Sequence, residues 1–517
     1  MRPIVPFRRL APAAIAAAAL LGASAVTPAV AAPARTAGAA ARPHGWPVVK
    51  LYAPQLSEKV AVFGGKNSFS FIDPSIYVET LGSALQFNVQ RKTLTSPRTI
   101  TQVIRYGGTV QRRTLGRWAT NGWKGLRRFV KLTIKTAGGK VIASRTMTFC
   151  PDSYGPQRTN PLSAAKSPYP YSCTYNTPFL LSGVWGIARG WGVDPMTSGF
   201  FFSPFTAKLQ AGHNYWATMT ITPRWRAVLR IAPQDAKATV KIEAVTPQQC
   251  NPCVYRAPAR HAAPASLARQ FHETAASMQR VPQMTNPPQS VLPDLMPLPS
   301  ANINVANIRQ TPRTKANSQL TFGATVAVLG NGPLDVEGFS THHSSVMPAY
   351  QYYFRGNQVV GRTRAGTMGF DNKPGHNHWH FEQFAQYRLL TKNKKLVVRS
   401  QKVGFCIAPT DGVDLLLPHA TWQLNNLGFG GGACGSPGAL WVQEHMPVGW
   451  GDTYYQYVAG QSFNITHLHN GAYYIEIIAN PEHVLHETNT ANDTSLREII
   501  LGGTFGHRTV RELPFRG

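Results

Sequence analysis

The sequence predicts an all-β protein with a β-sandwich-like amino-terminal part and a second β domain, and three observations support this. Forty prolines and 45 glycines in 517 residues favour short elements and many turns over long helices. Alternating apolar and polar residues, typical of half-buried strands, occur at residues 216–221 and 238–243 and recur after residue 320. With 43% hydrophobic residues, the chain can fill real cores. Whether the amino-terminal part is one sandwich or two smaller ones is left open.

The amino terminus has the features of a secretory signal peptide. Three arginines within residues 1–10 precede an apolar stretch over residues 11–26, and Ala-Val-Ala at 29–31 marks a cleavage site. The apolar stretch is too short and wrongly flanked for a stable membrane span. We therefore expect residues 1–31 to be removed, residues 32–45 to form a disordered leader, and the protein to be secreted, with no transmembrane segment.

Residues 46–253 are expected to form a basic all-β domain, whose role the sequence leaves open. Residues 131–143 contain two alternating runs around Gly138-Gly139, which predicts a hairpin. The formal net charge is +29, and residues 101–150 carry eleven lysines or arginines and no acidic residue. Such a surface attracts polyanions, and outside a cell the candidates are anionic cell-wall polymers and lipid headgroups. General solubility is the alternative explanation, and no motif indicates specific nucleic-acid recognition.

The rest of the chain divides into a linker and a second domain. Residues 254–290 are rich in alanine, proline, arginine and glutamine and are expected to form a linker, with a short docking helix around residues 267–278. Strand patterns then resume, so residues 291–505 are expected to form a second all-β domain, followed by a tail at 506–517.

Six cysteines in an exported protein are expected to be largely oxidised. Cys406 and Cys434 are the only cysteines of the second domain, which predicts that they pair. The spacing Cys-Asn-Pro-Cys at 250–253 favours a structural disulfide over a redox motif, since no thioredoxin-like pattern surrounds it. The pairing of the four early cysteines is left open: Cys150, Cys173, Cys250 and Cys253.

Three histidines at alternate positions, His376, His378 and His380, are the most informative feature of the second domain. A strand directs alternate side chains to one face, so the three imidazoles are expected to project together. Such a set makes a metal site with open positions, and imidazole suits zinc, copper, iron and nickel, of which copper(II) binds most tightly. A histidine-rich surface strand is the alternative explanation for the spacing taken alone.

Five short motifs of the second domain, in this order, together resemble the catalytic domain of the lysyl oxidases. The similarity covers residues 291–501, and the amino-terminal 250 residues share none of it. The lysyl oxidases are copper enzymes that oxidise the ε-amine of protein lysines to an aldehyde. Each motif alone is weak evidence, whereas five in the right order are a specific signal. The motifs lie at residues 292–299 (LPDLMPLP), 376–380 (HNHWH), 402–406 (KVGFC), 452–454 (DTY) and 487–493 (ETNTAND).

The resemblance implies that the three histidines bind copper and that the chain makes its own quinone cofactor, lysine tyrosylquinone. The lysine of the family's Lys-x-x-Phe-Cys motif corresponds to Lys402, and the tyrosine of its Asp-Thr-Tyr motif corresponds to Tyr454. Asp452, two residues before that tyrosine, is a candidate base. Taken alone, Lys402 is more often a solvated strand lysine and Tyr454 a core aromatic residue.

Animal members of the family also bind calcium, and the resemblance places the corresponding oxygen donors at both ends of the second domain. Carboxylate and amide oxygens are the ligands that calcium needs. Taken alone, residues 487–493 could be a polar hairpin loop. The corresponding residues are Asp294, Glu487, Asn489, Asn492 and Asp493.

Two departures distinguish the chain from the animal enzymes. The stretch between Lys402 and Tyr454 is about 17 residues longer and includes a glycine-rich loop at 428–432, although closing a longer loop costs little free energy. The second domain also has fewer cysteines.

The residues favour amine oxidation on chemical grounds as well. No unmodified side chain is electrophilic enough to oxidise an amine, so the reaction needs a carbonyl cofactor or a flavin. No Gly-x-Gly-x-x-Gly fingerprint opens a βαβ unit here. We therefore expect a secreted copper- and quinone-dependent amine oxidase that uses dioxygen to convert primary amines to aldehydes, with release of hydrogen peroxide and ammonia. Protein lysines are among the candidate substrates.

The alternative function is that of a non-catalytic extracellular copper-binding protein. Such a protein would need neither Lys402 nor Tyr454, so these two residues distinguish the hypotheses. With either function, the basic amino-terminal domain could serve as a cell-wall-binding module.

Overall fold

Strands make up most of the regular structure of the described residues, which confirms the predicted all-β class. The α-helix α1 (Pro223–Leu229) is the only one in this part of the chain, beside the short 3-10 helices Arg117–Ala119, Pro233–Ala236, Pro247–Gln249 and Gln289–Val291. None of the described helices is long and apolar enough to cross a membrane. The computed structural model describes residues 45–516 except for 66–67, 174–175, 198–204, 251–279, 309–314, 341–343, 373–376, 425–433 and 457–459.

The strands β1 to β15 belong to the first half of the chain. Their bounds are β1 Val48–Tyr52, β2 Ser57–Ala61, β3 Ser70–Ile72, β4 Tyr77–Leu81, β5 Leu85–Gln90, β6 Thr99–Tyr106, β7 Thr109–Leu115, β8 Leu126–Thr136, β9 Val141–Phe149, β10 Gln157–Arg158, β11 Ser182–Ile187, β12 Trp191–Val193, β13 Phe205–Ala207, β14 Asn214–Ile221 and β15 Lys237–Val245.

These strands form four sheets, with the orders β1-β4-β12-β10, β11-β5-β6-β7, β13-β3 and β2-β15-β14-β8-β9. The predicted hairpin is confirmed as β8 and β9, and Gly139 supplies the positive φ of +83° that its turn requires. Along β14, buried residues alternate with more exposed ones, because one face packs on the core and the other faces outward.

The strands β16 to β31 belong to the second half. Their bounds are β16 Leu295–Pro297, β17 Ala301–Ile308, β18 Asn317–Val328, β19 Leu334–Phe339, β20 Val346–Arg355, β21 Gln358–Asp371, β22 His378–Phe381, β23 Ala385–Thr391, β24 Leu396–Arg399, β25 Asp411–Gly412, β26 Trp441–Met446, β27 Trp450–Tyr454, β28 Ser462–Asn464, β29 Gly471–Ala479, β30 Thr494–Thr504 and β31 His507–Glu512.

Three sheets organise the second half. One has the order β16-β18-β27-β25, with β17 and β28 also paired to β18; the others are β22-β21-β20-β19-β26 and β24-β23-β29-β30-β31. The first of these carries the Asp-Thr-Tyr motif on β27, and the second carries the histidines on β22. Residues 506–517, expected to be a tail, instead contribute β31, which pairs with β30 and extends the third sheet.

The two halves share no sheet among the described residues, but they share a hydrophobic core. Ser182 forms a parallel bridge with Asp414, and the Leu181 N–H donates to the Val413 carbonyl oxygen at 2.7 Å. The Tyr169 and Trp422 rings stack with their centres 6.2 Å apart. In these three contacts the second half contributes residues between Lys402 and Tyr454. Other contacts to the first half come from Asn302, Arg497 and Phe515.

The structure also bears on the expected disulfides. Cys406 pairs with Cys434 as predicted, with their Cα atoms 5.7 Å apart. Cys150 pairs with Cys173, which settles part of the pairing that the sequence left open. Cys250 is disulfide-bonded. Cys253, the expected docking helix, the expected signal peptide and nearly all of the expected leader lie outside the described residues.

Because the core is continuous, the two halves should unfold together. Heating the protein should give one calorimetric transition, since separating the halves would expose apolar surface of both. Ser182→Ala removes a hydroxyl that contacts Asp414 and accepts the Leu416 N–H. It should lower the free energy of unfolding by about 1–3 kcal/mol and the melting temperature of the whole protein. Ser57→Ala, at an exposed site, is the matched control. Two separate transitions would contradict the shared core.

Candidate functional site

Strand β22 carries two of the three predicted copper ligands, His378 and His380, while His376 lies outside the described residues. Between them, Trp379 is fully buried and its indole N–H donates to the Ser436 carbonyl oxygen at 3.0 Å. Alternation along the strand then directs both imidazoles to the opposite face. The predicted shared face is therefore present for the two described histidines.

The two imidazoles converge on one point. Their Nε2 atoms are 3.0 Å apart, close to the separation of two imidazole nitrogens that each lie about 2.0–2.1 Å from the same ion. On the other side of the His380 ring, Nδ1 is 3.9 Å from the Asp371 carboxylate. A carboxylate in that position is a common outer partner of a ligating histidine. The donor pair therefore fits an imidazole-binding metal such as copper.

The segment 404–406 holds this strand from its free edge. Phe381 and Phe405 exchange two backbone hydrogen bonds of 2.8 and 3.0 Å. Gly404 lies against His380, since a Cβ at position 404 would be 2.8 Å from the His380 Cβ. Two further links complete the attachment. Cys406 forms a disulfide with Cys434, and the backbone N–H of Trp379 donates to the Cys434 carbonyl oxygen at 2.8 Å. The histidine strand and the Lys-x-x-Phe-Cys motif are therefore direct neighbours.

The lysine and tyrosine predicted to form the cofactor lie side by side. Lys402 is only 7% exposed, and its Nζ is 4.9 Å from the centre of the Tyr454 ring. Phe405 packs edge-on against Tyr454, with ring centres 5.0 Å apart, and its ring centre is 5.3 Å from the same Nζ. The Tyr454 hydroxyl donates to the Cys406 carbonyl oxygen at 3.0 Å. The structure thus brings the amine and the ring together in a buried site.

Two buried carboxyl groups face this pair. One is Asp452, the predicted candidate base; the other is Glu444, which the sequence analysis missed. Burial raises the pKa of each well above its ordinary value, and the positive charge of Lys402 opposes that rise. Burial also raises the pKa of Tyr454, and the charges of Asp452 and Glu444 add to this effect. The arrangement therefore allows proton exchange among the Lys402 amine, the Tyr454 phenol and the two carboxyl groups.

Glu444 has a recognisable sequence signal in retrospect. It lies on the buried face of β26 between Val442 and Met446, where alternation predicts an apolar side chain. One of its carboxylate oxygens accepts the Ile407 N–H at 3.0 Å, and the other is buried with no hydrogen-bond partner assigned among the described residues. A carboxylate on the apolar face of a strand is costly unless it has a partner or a function.

The expected calcium ligands are partly assembled. Glu487 accepts the Leu295 N–H at 3.0 Å and the Asn480 side-chain amide at 2.6 Å, and the Asn492 amide donates to Asp294 at 3.1 Å. These contacts tie the start of the second half to its last strands. Asn489 is exposed, and its described contact is a local one, accepting the Ala491 N–H at 3.1 Å.

Three oxygen atoms in this cluster, two of a carboxyl group and one of an amide, lack a donor. Both oxygens of Asp493 and the Asn492 side-chain oxygen are buried and have no hydrogen-bond partner among the described residues. Burial raises the pKa of Glu487 to about 7 and that of Asp493 to about 6, and it also raises the pKa of Asp294. Adjacent buried carboxylates are stable only with a proton or a cation between them. The cluster therefore fits a hard cation, as the chemistry of its donors requires.

Comparison with known proteins agrees with this geometry. Residues 362–508 match the lysyl oxidase family model. The resemblance is thereby confirmed for less than a third of the 517 residues, a segment that includes the histidine strand, Lys402, Glu444 and Tyr454. The match supports an oxidoreductase of the copper-dependent amine oxidase kind. No curated protein matches the chain.

Gly404 gives a test of the packing behind His380. Gly404→Ala would force a Cβ against the imidazole and should lower the free energy of unfolding by about 1–3 kcal/mol. Gly438→Ala is the matched control, because a Cβ at position 438 meets no atom within 4 Å and neither glycine has a positive φ. Thermal melting should separate the two variants clearly. Equal melting temperatures would mean that the segment 404–406 does not press on the histidine strand.

Proposed function

We propose that the second half of the chain is an exported copper- and quinone-dependent amine oxidase. It would convert a primary amine, dioxygen and water to an aldehyde, ammonia and hydrogen peroxide. One observation carries the proposal: the buried Lys402 amine lies 4.9 Å from the Tyr454 ring centre, beside the strand that presents His378 and His380. A copper-binding protein without turnover has no use for this pair.

The histidines would hold the metal, and the chain would supply the organic cofactor. His378 and His380, with His376, are the proposed copper ligands. When bound, copper(II) and dioxygen supply the oxidation that turns Tyr454 into a quinone joined to Lys402, and this quinone supplies the carbonyl electrophile for amine oxidation. The chain's contribution is to place, shield and deprotonate the reacting groups.

Positioning depends on three neighbours of the tyrosine ring. The hydrogen bond to the Cys406 carbonyl oxygen fixes the hydroxyl, and the edge of Phe405 limits rotation of the ring. Lys402 is held at its backbone, since its N–H donates to the Ser400 hydroxyl at 3.0 Å. The reacting amine and ring are therefore kept in contact without a further conformational change, which favours an intramolecular reaction.

The two carboxyl groups would move the protons. Before Lys402 can attack a ring, its amine must lose a proton. Asp452 and Glu444 are the proposed acceptors, because both interact electrostatically with Lys402, whose positive charge lowers the pKa of each carboxyl group. In turnover, we assign to Asp452 the removal of the proton from the substrate carbon next to nitrogen. A carboxyl group whose pKa is raised by burial can take up and return a proton near neutral pH.

Variants of the cofactor pair should abolish peroxide production while copper stays bound. Tyr454→Phe removes the hydroxyl from which a quinone forms, and Lys402→Arg removes the attacking amine. Tyr474→Phe, on β29, and Lys395→Arg, at an exposed position before β24, are the matched controls and should keep amine-dependent peroxide production at the unsubstituted level. Copper content by elemental analysis should be equal in all four variants. Full activity in Tyr454→Phe would refute the quinone.

The copper assignment is tested at His378. His378→Ala removes one converging Nε2 donor and should reduce bound copper severely, because an ion with fewer imidazole ligands is held far more weakly. His213→Ala, an exposed histidine of the first half, should keep the copper content of the unsubstituted protein. Unchanged copper in His378→Ala would mean that the metal binds elsewhere.

We further propose that Asp294, Glu487, Asn489, Asn492 and Asp493 hold a calcium ion. Without a cation, the raised pKa values of Glu487 and Asp493 mean that ionisation costs more in the folded than in the unfolded protein. The protonated forms of Glu487 and Asp493 therefore stabilise the folded protein at low pH, and this stabilisation is lost as the pH rises from about 4 to about 7.

Calcium should offset this loss, so chelation should lower the melting temperature more at pH 8 than at pH 5, and added calcium should restore it. Asp493→Asn should blunt the calcium response, whereas Glu482→Gln, at an exposed position of the same region, should not. A calcium response equal in both variants would remove Asp493 from the site.

A further inference from the structure

On the outer face of the sheet β2-β15-β14-β8-β9, strands β8 and β15 carry four lysines in a regular arrangement, and the exposed Lys59 of β2 lies beside Glu243. In the strand register, Lys131 and Lys237 lie on either side of Thr220, and Lys135 and Lys241 lie on either side of Trp216. We call these four residues the lysine face. Lys131, Lys135 and Lys237 are exposed and Lys241 is half-buried, while the opposite side of the same strands packs on the core.

Between the two pairs of lysines runs a row of hydroxyl groups. Thr133, Thr218 and Thr239 lie side by side across β8, β14 and β15, and Ser144 continues the row on β9. Neighbouring hydroxyls in this row are 3.0 to 3.1 Å apart where they pair, Thr218 with Thr239 and Thr133 with Ser144. The space enclosed by the four ammonium groups is therefore lined with polar groups that can both donate and accept hydrogen bonds.

The face is poorly neutralised. On the outward side of these described strands, Glu243 is the one acidic residue, and it pairs with Lys241 at 3.0 Å. Within the described part of the chain, Lys131, Lys135 and Lys237 have no ion-pair partner. A patch with this charge attracts anions, and the attraction adds to that of the whole protein, whose net charge is +29.

The spacing of the lysines decides what kind of anion fits. Two lysines on β8 and β15 with one strand between them are about 10 Å apart, and two lysines four residues apart along β8 are about 13 Å apart at their Cα atoms. A single phosphate would contact all four ammonium groups only if the four side chains bent inward over the row of hydroxyls. A chain that repeats its anionic groups can contact them with the side chains extended, and hydroxyl groups between its phosphates would meet the row of threonines.

We infer that the lysine face binds a linear polyol phosphate, a polymer of phosphodiesters separated by hydroxyl-bearing units. Trp216 is half-buried and lies between Lys135 and Lys241. Its indole ring would pack against the carbon skeleton of the polymer. Single-stranded nucleic acid fits less well, because its binding uses several aromatic rings on which successive bases stack. An anionic bilayer also fits less well, because the face presents hydroxyls where insertion would need exposed apolar side chains. The inference does not depend on the oxidase activity.

The test measures binding of the full chain, without its signal peptide, to linear poly(glycerol phosphate) at several salt concentrations. Replacing Lys131, Lys135, Lys237 and Lys241 by glutamine should weaken binding about tenfold or more and flatten its dependence on salt, because fewer counterions are released. The matched control replaces the same number of exposed lysines in the second half by glutamine: Lys315, Lys392, Lys394 and Lys395. The control should bind as the unsubstituted protein does, and both variants should keep its melting temperature and its peroxide production.

Thr218→Val with Thr239→Val tests the hydroxyl row separately from the charge. This double variant should weaken binding of poly(glycerol phosphate) but not of inorganic polyphosphate, which has no hydroxyl-bearing units. Equal weakening by the two lysine sets would reduce the effect to net charge and overturn the inference. Tighter binding to single-stranded DNA or to phosphatidylglycerol vesicles than to poly(glycerol phosphate) would assign the face to a different partner.

Discussion

Backbone pairing between Phe381 and Phe405 is the constraint on which the candidate site depends. The two hydrogen bonds place the segment 402–406 along the free edge of the histidine strand. From that position Phe405 contacts Tyr454, and the Cys406 carbonyl oxygen accepts the hydroxyl of the same tyrosine. One short segment therefore connects the proposed metal ligands on β22 to the proposed cofactor on β27. A shift of this segment by one residue would direct the Lys402 side chain to the opposite side of the segment and separate it from Tyr454.

Buried charge is the second constraint. Lys402, Asp452 and Glu444 occupy a site from which water is largely excluded, and each charge there depends on the others. If Lys402 joins the tyrosine ring, its positive charge is lost. The electrostatic effect that lowers the pKa of both carboxyl groups then disappears, so both become stronger bases. Formation of the cofactor would in this way prepare the proton acceptor that turnover needs.

Local patterns predicted much of this structure, and long-range contacts were beyond them. The period of two placed His378 and His380 on one face, and alternation found β8, β9, β14 and β15, because both follow from strand geometry alone. The proximity of Lys402 and Tyr454 came only from resemblance, since no rule of spacing brings a residue between two strands next to a residue of a distant strand. Glu444 has only a local signal, a carboxylate on the apolar face of a six-residue strand, and that signal alone does not indicate what the side chain contacts. The contacts between the halves depend on packing that a single sequence does not reveal.

The most direct test of the central claim is the covalent state of Lys402 and Tyr454 in protein made with copper. After proteolysis under reducing conditions, mass spectrometry should find the peptides that contain these residues joined, and the intact protein should absorb visible light. Protein made without copper should give the same two peptides separate and should be colourless until copper and air are added. Separate, unmodified peptides from a copper-replete protein would contradict the account, even if His378 and His380 bind the metal.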